Sequence, residues 1–220
     1  MNSIISLKNI TKFYQNGNVK NTVLNNFSVE FFHNCFSIIA GPSGSGKSTL
    51  LNILATLDIP GSGEYYFKNQ LLDFRNKKEL VNVRKKHFGF VFQSFNLIPV
   101  LTSIENVELP LTLSNFKYNE RRKKAEEALI LVGLKDKLNS RPGQLSGGEQ
   151  QRVAIARAIV GNPEIVFADE PTANLDRENA VKIINLMEEL NNLQLTNFII
   201  ASHDDKVIKK GKEIIWIENQ

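Results

Sequence analysis

The sequence of 220 residues predicts an α/β fold with a mostly parallel sheet, an antiparallel β portion near the N-terminus and an inserted helical lobe. Three observations support this prediction. Short apolar runs alternate with helical segments, which is typical of parallel strands buried on both faces. Two N-terminal stretches alternate loosely between apolar and polar residues, as half-buried strands do. From about Asn96 to Arg141 no convincing strand occurs, and helical spacing dominates.

The predicted strands are short and bounded by turn residues. In chain order they are Ile4–Ile10, Thr22–Phe32, Cys35–Ala40, Glu64–Phe67, Phe88–Phe92, Glu164–Ala168, Asn197–Ala201 and Glu213–Glu218. The first two flank Asn16-Gly17-Asn18, which has the composition of a turn. Cys35–Ala40 stops at a glycine, and Pro60-Gly61-Ser62-Gly63 separates the next helix from Glu64. These turn residues mark where the predicted strands begin and end.

Apolar residues recur at helical spacing in the segments between the strands. The predicted helices run from Gly46 to about Leu57 and over Lys77–Lys86, Ser103–Leu111, Tyr118–Val132, Ser146–Val160 and Arg177–Asn192. Gly133 follows one helix and Gly161-Asn162-Pro163 closes another, as helix ends require. We expect a single domain over 1–220, with an α/β core from 1–95 and 160–220 and a helical lobe over about 96–159.

Composition excludes several classes of protein. Apolar residues make up 42% and charged residues 23%, which is ordinary globular usage and excludes a disordered tail or a fibrous protein. The single cysteine, Cys35, excludes an intramolecular disulfide and an all-cysteine metal site, and it fits a reducing compartment. We expect no membrane span, since polar residues interrupt Phe88–Ile104, and no signal peptide in Met1–Asn9.

The formal net charge of +4 is mildly basic. Basic residues gather in Arg75–Lys86, in Lys117–Lys124 and around Lys209–Lys212, rather than in one stripe of the kind that nucleic-acid binding needs. Solvated helix faces are the favoured interpretation of these clusters. Contact with phospholipid headgroups, or with a partner that tolerates basic residues, is the alternative.

A phosphate-binding loop, G-x-x-x-x-G-K-S/T, follows a predicted strand and precedes a helix. Its residues are Gly41, Pro42, Ser43, Gly44, Ser45, Gly46, Lys47 and Ser48. The glycines let backbone N–H groups point at one anion, and the helix adds the positive end of its dipole. We expect Lys47 to hold the β and γ phosphates of ATP, Ser48 to bind Mg²⁺ and Thr49 to reach the α phosphate.

Two carboxylates follow the apolar strand Ile165–Ala168. In a parallel sheet the carboxyl ends of the strands are where ligands bind. Asp169 is expected to hold Mg²⁺, and Glu170 to orient an attacking water as the catalytic base. An apolar run followed by two acids is a weak signal alone, but its pairing with a phosphate loop makes it strong.

Residues 145–152, Leu-Ser-Gly-Gly-Glu-Gln-Gln-Arg, give the chain its most specific pattern. Ser146, Gly147 and Gly148 start a helix, where backbone N–H groups favour a second phosphate. A helix cap explains the serine but not the two glycines. This segment resembles the signature motif of ABC transporter nucleotide-binding subunits, and the resemblance extends over nearly the whole chain. It implies a head-to-tail dimer with two ATP molecules in the interface.

The same resemblance implies roles for four further residues. Gln93 is similar to the Q-loop glutamine that contacts Mg²⁺ and the attacking water. Tyr14 lies where the family stacks an aromatic ring on adenine, although a plain surface tyrosine is nearly as good an explanation. Asp176 resembles the D-loop aspartate that couples the two sites, and His203 the switch histidine that contacts the γ phosphate. His33 and His87 have no such placement and are expected to be structural.

Residues 92–107 are similar to the branch of the family that serves lipoprotein release, macrolide export and antimicrobial-peptide resistance. Phe95, Leu97, Ile98 and Leu101 are expected either to line a groove for a helix of the membrane partner or to pack the helical lobe; the two alternatives are equally supported.

The resemblance implies an ATPase with ATP and Mg²⁺ as cofactors, bound to an integral-membrane permease on the cytoplasmic face of the membrane. We expect a homodimer rather than a heterodimer, and no nucleic-acid partner. The alternatives are a soluble ABC ATPase acting on nucleic acid or ribosomes, and an importer subunit. The single phosphate loop and the absence of heptads disfavour the first, and residues 92–107 disfavour the second.

Overall fold

The computed structural model describes residues 3–16, 19–114, 116–194 and 196–218. Its strands are β1 (Ser3–Asn16), β2 (Val19–Phe32), β3 (Phe36–Ala40), β4 (Ser62–Phe67), β5 (Gln70–Leu71), β6 (Phe88–Val91), β7 (Ile165–Asp169), β8 (Asn197–Ser202) and β9 (Glu213–Trp216). Its α-helices are α1 (Lys47–Leu54), α2 (Lys77–His87), α3 (Ser103–Glu108), α4 (Tyr118–Leu131), α5 (Gly147–Ile159), α6 (Arg177–Gln194) and α7 (Asp205–Ile208). No helix in these described ranges is long and apolar enough to cross a bilayer.

The backbone groups into two compact units. The first comprises Met1–Arg84 and Ile199–Gln220, and the second comprises Lys85–Phe198. Strand β8 begins in the second unit and ends in the first. The boundaries of the helical lobe at 96–159 stay a prediction.

An antiparallel sheet in the first unit has the strand order β2-β1-β4-β5. The central strand β1 places Ile5 opposite Phe31 on one side and Phe67 on the other, and all three side chains are buried. The register shifts between Leu7 and Ile10, where Asn9 has a φ of 55°. This irregularity interrupts the alternation of apolar residues, which is why the sequence predicted a strand that ends at Ile10. Gly17 and Asn18 of the predicted turn lie outside the described residues.

The parallel strands carry the buried core. Within the first unit the order is β8-β3-β9, and within the second it is β6-β7-β8. Strand β6 runs parallel to β7, with Phe88 opposite Ile165. Phe167 on β7 is buried and meets the ring of Phe88 edge-on at 5.0 Å. A buried Phe contributes about 1.5–3 kcal/mol of hydrophobic free energy. The continuous apolar runs of the sequence thus correspond to strands covered on both faces.

Two helices end earlier than their sequence patterns predict. Helix α3 stops at Glu108 and is followed by a 3₁₀ turn over Leu109–Leu113, because Pro110 has no N–H for a continuing α-helix. Helix α1 stops at Leu54, and Thr56 takes a left-handed φ of 54°, which a continuing helix does not allow. The short strand β5 and helix α7 were not predicted. The α/β class, the parallel and antiparallel sheets and the helical insertion are confirmed.

Candidate functional site

The phosphate loop lies between β3 and α1 in the first unit. Gly46 precedes the helix with a φ of 100°, a conformation that favours glycine. A Cβ at Gly46 would lie 2.7 Å from Cγ1 of Val23, and a Cβ at Gly41 would overlap the backbone carbonyl oxygen of Ile217. Both positions therefore require glycine. Ser48 and Thr49 lie in the first turn of α1, as predicted.

Lys47 is buried at the first position of α1. Its Nζ donates hydrogen bonds to the carbonyl oxygens of Gly41 (2.9 Å) and Pro42 (2.8 Å). The ammonium group is thus held over the loop that the sequence assigned to phosphates. Ser45 is 4% exposed, and its Oγ has no hydrogen-bond partner among the described residues. A buried hydroxyl without a partner is costly, and a phosphate oxygen of a nucleotide would satisfy it. The loop fits the group that the motif implies.

Tyr14, the predicted adenine platform, lies near the end of β1 with 44% of its surface exposed. Its hydroxyl donates to Oδ2 of Asp58 at 2.8 Å. Nζ of Lys12 donates to Oδ1 of the same carboxylate at 2.7 Å and lies 4.9 Å from the centre of the Tyr14 ring. Burial is the largest single effect on the pKa of Asp58 and raises it. The hydrogen bonds from Lys12, Tyr14 and the backbone of Ile59 together exceed this effect, so the pKa is lowered. The Tyr14 side chain is therefore held by the hydrogen bond to Asp58 and by the Lys12 ammonium group near its ring.

His203 follows the fully buried strand β8 and is exposed. The next residue, Asp204, caps the short helix α7 by accepting from the backbone N–H of Lys206 at 2.9 Å. His203 is thus the last residue before a fixed turn, at the carboxyl end of a core strand in the first unit. That position is the one the sequence predicted.

The acid pair lies at the carboxyl end of β7 in the second unit. Asp169 is the last residue of the strand, and Glu170 follows it; both are half-buried. Glu170 has a φ of 43°, a left-handed conformation that non-glycine residues seldom adopt. Backbone strain of this kind costs on the order of 1–3 kcal/mol and clusters at functional sites. The strained conformation therefore marks Glu170 as a candidate functional residue.

Gln93 lies two residues after β6 and is exposed. Its backbone carbonyl accepts a hydrogen bond of 3.0 Å from Nδ2 of Asn174. Because Asn174 belongs to the segment that also contains Asp176, the structure brings these two predicted regions together within the second unit.

Ser146 caps helix α5 in a reciprocal arrangement with Glu149. The hydroxyl of Ser146 accepts from the Glu149 N–H at 3.3 Å, and Glu149 Oε2 accepts from the Ser146 N–H at 2.8 Å. A Cβ at Gly148 would lie 3.1 Å from Oδ1 of Asn179 on α6. Gly147 has less crowded surroundings, with Cδ2 of Leu175 at 3.4 Å from such a Cβ. Packing within the chain therefore accounts for the glycine at 148.

Asp176 caps helix α6. Its Oδ1 accepts from the backbone N–H groups of Glu178 (3.0 Å) and Asn179 (2.9 Å). The hydrogen bonds from Asn179 lower the pKa of Asp176. Asn179 also lies against Gly148, so the predicted coupling aspartate and the predicted second phosphate cradle share a neighbour.

Magnesium coordination was predicted for Ser48, Gln93 and Asp169. These residues offer hydroxyl, amide and carboxylate oxygens, the donor types that Mg²⁺ binds. No group of three or more Asp, Glu, His or Cys side chains that could hold a metal occurs within the described part of the chain. Ser48 belongs to the first unit and Gln93 and Asp169 to the second, so coordination of one ion by all three stays a prediction. The donor chemistry fits the ion.

Comparison with known protein families decides the classification. Residues 24–173, more than half of the chain, match the family model described as ABC transporter. The chain belongs to this family. It is an ABC-type ATPase that binds ATP.

Relatives and solved structures agree with this assignment. An uncharacterized ABC transporter ATP-binding protein of Methanocaldococcus jannaschii, MJ1508, is 46% identical over 216 residues, covering 98% of the chain and 96% of that protein. The dimeric post-hydrolysis state of the ATP-binding cassette MJ0796, bound to ADP and Pi, superposes with a TM-score of 0.88 at 43% identity, covering 98% of this chain and 96% of that one.

The macrolide export ATP-binding/permease protein MacB of Pasteurella multocida is 41% identical over 219 residues, which cover 96% of the chain. The matched region is only 34% of the length of that protein. MacB therefore contains a large region that has no counterpart in this sequence of 220 residues.

Three residues that organise the second unit of this ABC ATPase were missed by sequence reasoning. Asn174 donates a hydrogen bond to the carbonyl of Gln93. Gln151 donates to the carbonyl of Pro171 at 2.7 Å. Arg157 donates to the carbonyls of Phe95 (2.7 Å) and Asn96 (2.5 Å). All three act on backbone oxygens far away in sequence, for which no spacing rule exists. The only signal was a polar or charged side chain on an otherwise apolar helix face, and it applies to Gln151 and Arg157.

Proposed function

We propose that this chain is the Mg²⁺-dependent ATPase subunit of an ABC transporter and drives a membrane permease as a head-to-tail homodimer. The observation that carries the proposal is the phosphate loop, in which Lys47 is buried over the loop carbonyls and the Ser45 hydroxyl has no partner among the described residues. An anion would accept a hydrogen bond from the Ser45 hydroxyl and lie beside the positive charge of Lys47.

The chemistry proposed for the chain's own residues is positioning and electrostatic stabilisation. Lys47 moves from the loop carbonyls to the β and γ phosphates, and Glu170 orients a water in line with the γ phosphate. His203 donates a hydrogen bond to that phosphate as charge develops on its oxygens. Mg²⁺, held by Ser48, Asp169 and Gln93 when bound, would neutralise negative charge on the phosphates.

Dimerisation places the Ser146–Gly148 cradle of one chain against the nucleotide of the other. The two dimeric MJ0796 structures support this arrangement, since they are 43% and 44% identical to the chain and cover 98% of it. The N–H groups at the start of α5 provide donors and a positive dipole end for a γ phosphate. ATP then favours the closed dimer, and hydrolysis removes the phosphate that bridges the two chains.

The permease is proposed to be a few-span exporter or motion-transmitting protein of the lipoprotein, macrolide or peptide type. The similarity to MacB supports this class. The ATPase would then lie on the cytoplasmic face of the membrane, held there through the permease. An importer permease is the competing class and is an outcome of the experiment below.

A cavity of about 460 Å³ in the second unit is the proposed docking site for the permease. It is lined by the rings of Phe88, Phe90, Phe92 and Phe116 and by three basic side chains, Lys85, Lys86 and Arg157, with no Asp or Glu among its described lining residues. Charge complementarity favours a short permease helix with an apolar face and a carboxylate. The sequence offered other residues for this role, with packing of the helical lobe as the alternative. These residues, Phe95, Leu97, Ile98 and Leu101, are not among the described residues that line the cavity.

The test uses tagged Glu170→Gln chain, loaded with ATP in native membranes and recovered with its partners for mass spectrometry. We expect a few-span membrane protein with a large external domain. Recovery should fall with the charge reversals Lys85→Glu and Lys86→Glu, and persist with the control reversals Lys77→Glu and Lys78→Glu on the same helix α2. A multi-span permease would contradict the exporter class, and recovery with ribosomes or nucleic acid would contradict the membrane function. Equal recovery with both charge reversals would contradict the docking site.

A further inference from the structure

The segment that follows Gln93 is a tight, strained turn. The Phe95 N–H donates to the Phe92 carbonyl at 3.2 Å, and the Asn96 N–H donates to the Ser94 carbonyl at 2.6 Å. Phe95 and Asn96 both have left-handed φ angles, 61° and 49°. Two successive non-glycine residues in this region are unfavourable unless the surroundings hold them there.

Arg157, in the last turn of α5, supplies that support. Its Nη2 donates to the Phe95 carbonyl at 2.7 Å and its Nη1 to the Asn96 carbonyl at 2.5 Å. The guanidinium is a rigid planar fork, so it fixes both carbonyls at once in a way that a lysine ammonium cannot. Desolvation by burial lowers the pKa of Arg157 below its ordinary value, because its guanidinium is largely removed from solvent.

A second anchor holds the other side of the same turn. Nδ2 of Asn174 donates to the carbonyl of Gln93 itself, at 3.0 Å. The turn is thus fastened by α5 on one side and by the segment before Asp176 on the other, all within the second unit.

We propose that Arg157 and Asn174 are positioning residues for Gln93, which together hold its side chain where it meets Mg²⁺ and the attacking water. This inference rests on the proposed function, because it takes the role of Gln93 from there. Neither residue is proposed to touch the nucleotide. Since Arg157 also lines the proposed docking cavity, a permease helix that shifts its guanidinium would change the position of Gln93.

The experiment compares Arg157→Lys, Asn174→Ala and Gln93→Ala in the full chain. Arg84→Lys is the matched control, because Arg84 donates to the carbonyl of Thr56 (2.6 Å), another residue with a left-handed φ, but in the first unit. For Arg157→Lys and Asn174→Ala we expect kcat to fall about tenfold or more, as for a catalytic group displaced by a fraction of an ångström. The Kd for ATP should stay within about twofold, because the phosphate loop is untouched.

Two further readouts separate positioning from simple loss of structure. The Mg²⁺ concentration for half-maximal activity should rise in both variants, and amide hydrogen exchange over residues 93–97 should accelerate with thermal stability nearly unchanged. Arg84→Lys should alter exchange near Thr56 only.

The outcomes are distinguishable. Wild-type kcat in Gln93→Ala would overturn the proposed role of Gln93, and the inference with it. A reduced kcat in Gln93→Ala together with wild-type kcat and exchange in Arg157→Lys and Asn174→Ala would overturn the inference alone. An equal loss of Tm and of ATP affinity in Arg157→Lys and Asn174→Ala would also overturn the inference, because a purely structural role predicts that result.

Discussion

The side-chain amide of Gln151 donates a hydrogen bond of 2.7 Å to the carbonyl of Pro171, the residue directly after Glu170. Gln151 is fully buried on α5, five residues after the cap Ser146. One hydrogen bond therefore ties the helix that carries the signature motif to the turn that carries the proposed catalytic base. Both lie in the second unit, so the link does not depend on a second chain.

Gln151→Leu should test that link. The substitution leaves the Pro171 carbonyl without its donor, which costs about 1–3 kcal/mol of unfolding free energy for a buried group. We expect this loss in denaturant unfolding, and a larger relative fall in kcat than in ATP affinity because Glu170 loses its support. An unfolding free energy within about 0.5 kcal/mol of wild type would show that the bond adds little.

Lys47→Ala should weaken ATP binding by about 100-fold or more, since a buried charge-assisted contact to phosphate is worth about 1.5–3 kcal/mol per hydrogen bond. Equilibrium binding of a fluorescent ATP analogue measures the change. Lys209→Ala removes an exposed lysine and serves as the control with unchanged affinity. Near-normal affinity and hydrolysis in Lys47→Ala would contradict the phosphate-loop assignment.

Ser146→Arg should abolish turnover while ATP still binds the isolated chain. The bulky cation blocks the cradle at the start of α5, which is proposed to bind the nucleotide of the other chain. Steady-state ATPase assays and monomer binding assays measure the two effects separately. Loss of ATP binding by the monomer would mean that Ser146 contacts the nucleotide of its own chain.

The capping box of α5 should make stability depend on pH. The hydrogen bond from the Ser146 N–H is the largest factor that lowers the pKa of Glu149 below its ordinary value of 4.5. A carboxylate with a lowered pKa stabilises the fold while it is ionised, and this contribution disappears as the pH falls through the lowered pKa.

Wild type should therefore be more stable than Glu149→Gln at neutral pH, and the difference should disappear on acidification below about pH 4. Thermal unfolding between about pH 3 and pH 7 measures this, with the exposed Glu127→Gln as the control. A difference that is independent of pH would show that the charge of Glu149 plays no part.

The positions of the phosphate loop, the acid pair and the signature motif in the fold were predictable, because each is a contiguous run of residues with a recognisable spacing. The parallel strands were predictable for a related reason, since burial on both faces leaves uninterrupted apolar runs such as Ile165–Ala168. Residue types and spacing carry this information directly.

The supporting contacts were not predictable, because each joins positions distant in sequence. Arg157 acts on carbonyls that lie 61 and 62 residues earlier, and Asn174 on one that lies 81 residues earlier. The left-handed conformations of Phe95 and Glu170 carry no sequence signal either, since neither residue type favours positive φ, whereas asparagine at position 96 is compatible with it. Tertiary contacts impose these angles against local preference.

The central claim is that ATP, bound between two copies of this chain, closes a dimer that Glu170 then opens by hydrolysis. Sedimentation of Glu170→Gln with ATP, with ADP and without nucleotide tests it most directly. We predict a dimer with ATP alone, hydrolysis slowed about 10²–10⁴-fold by loss of the general base, and a monomer again when Ser146→Arg is added. A Glu170→Gln chain that stays monomeric at saturating ATP, or that dimerises equally without nucleotide, would contradict this claim.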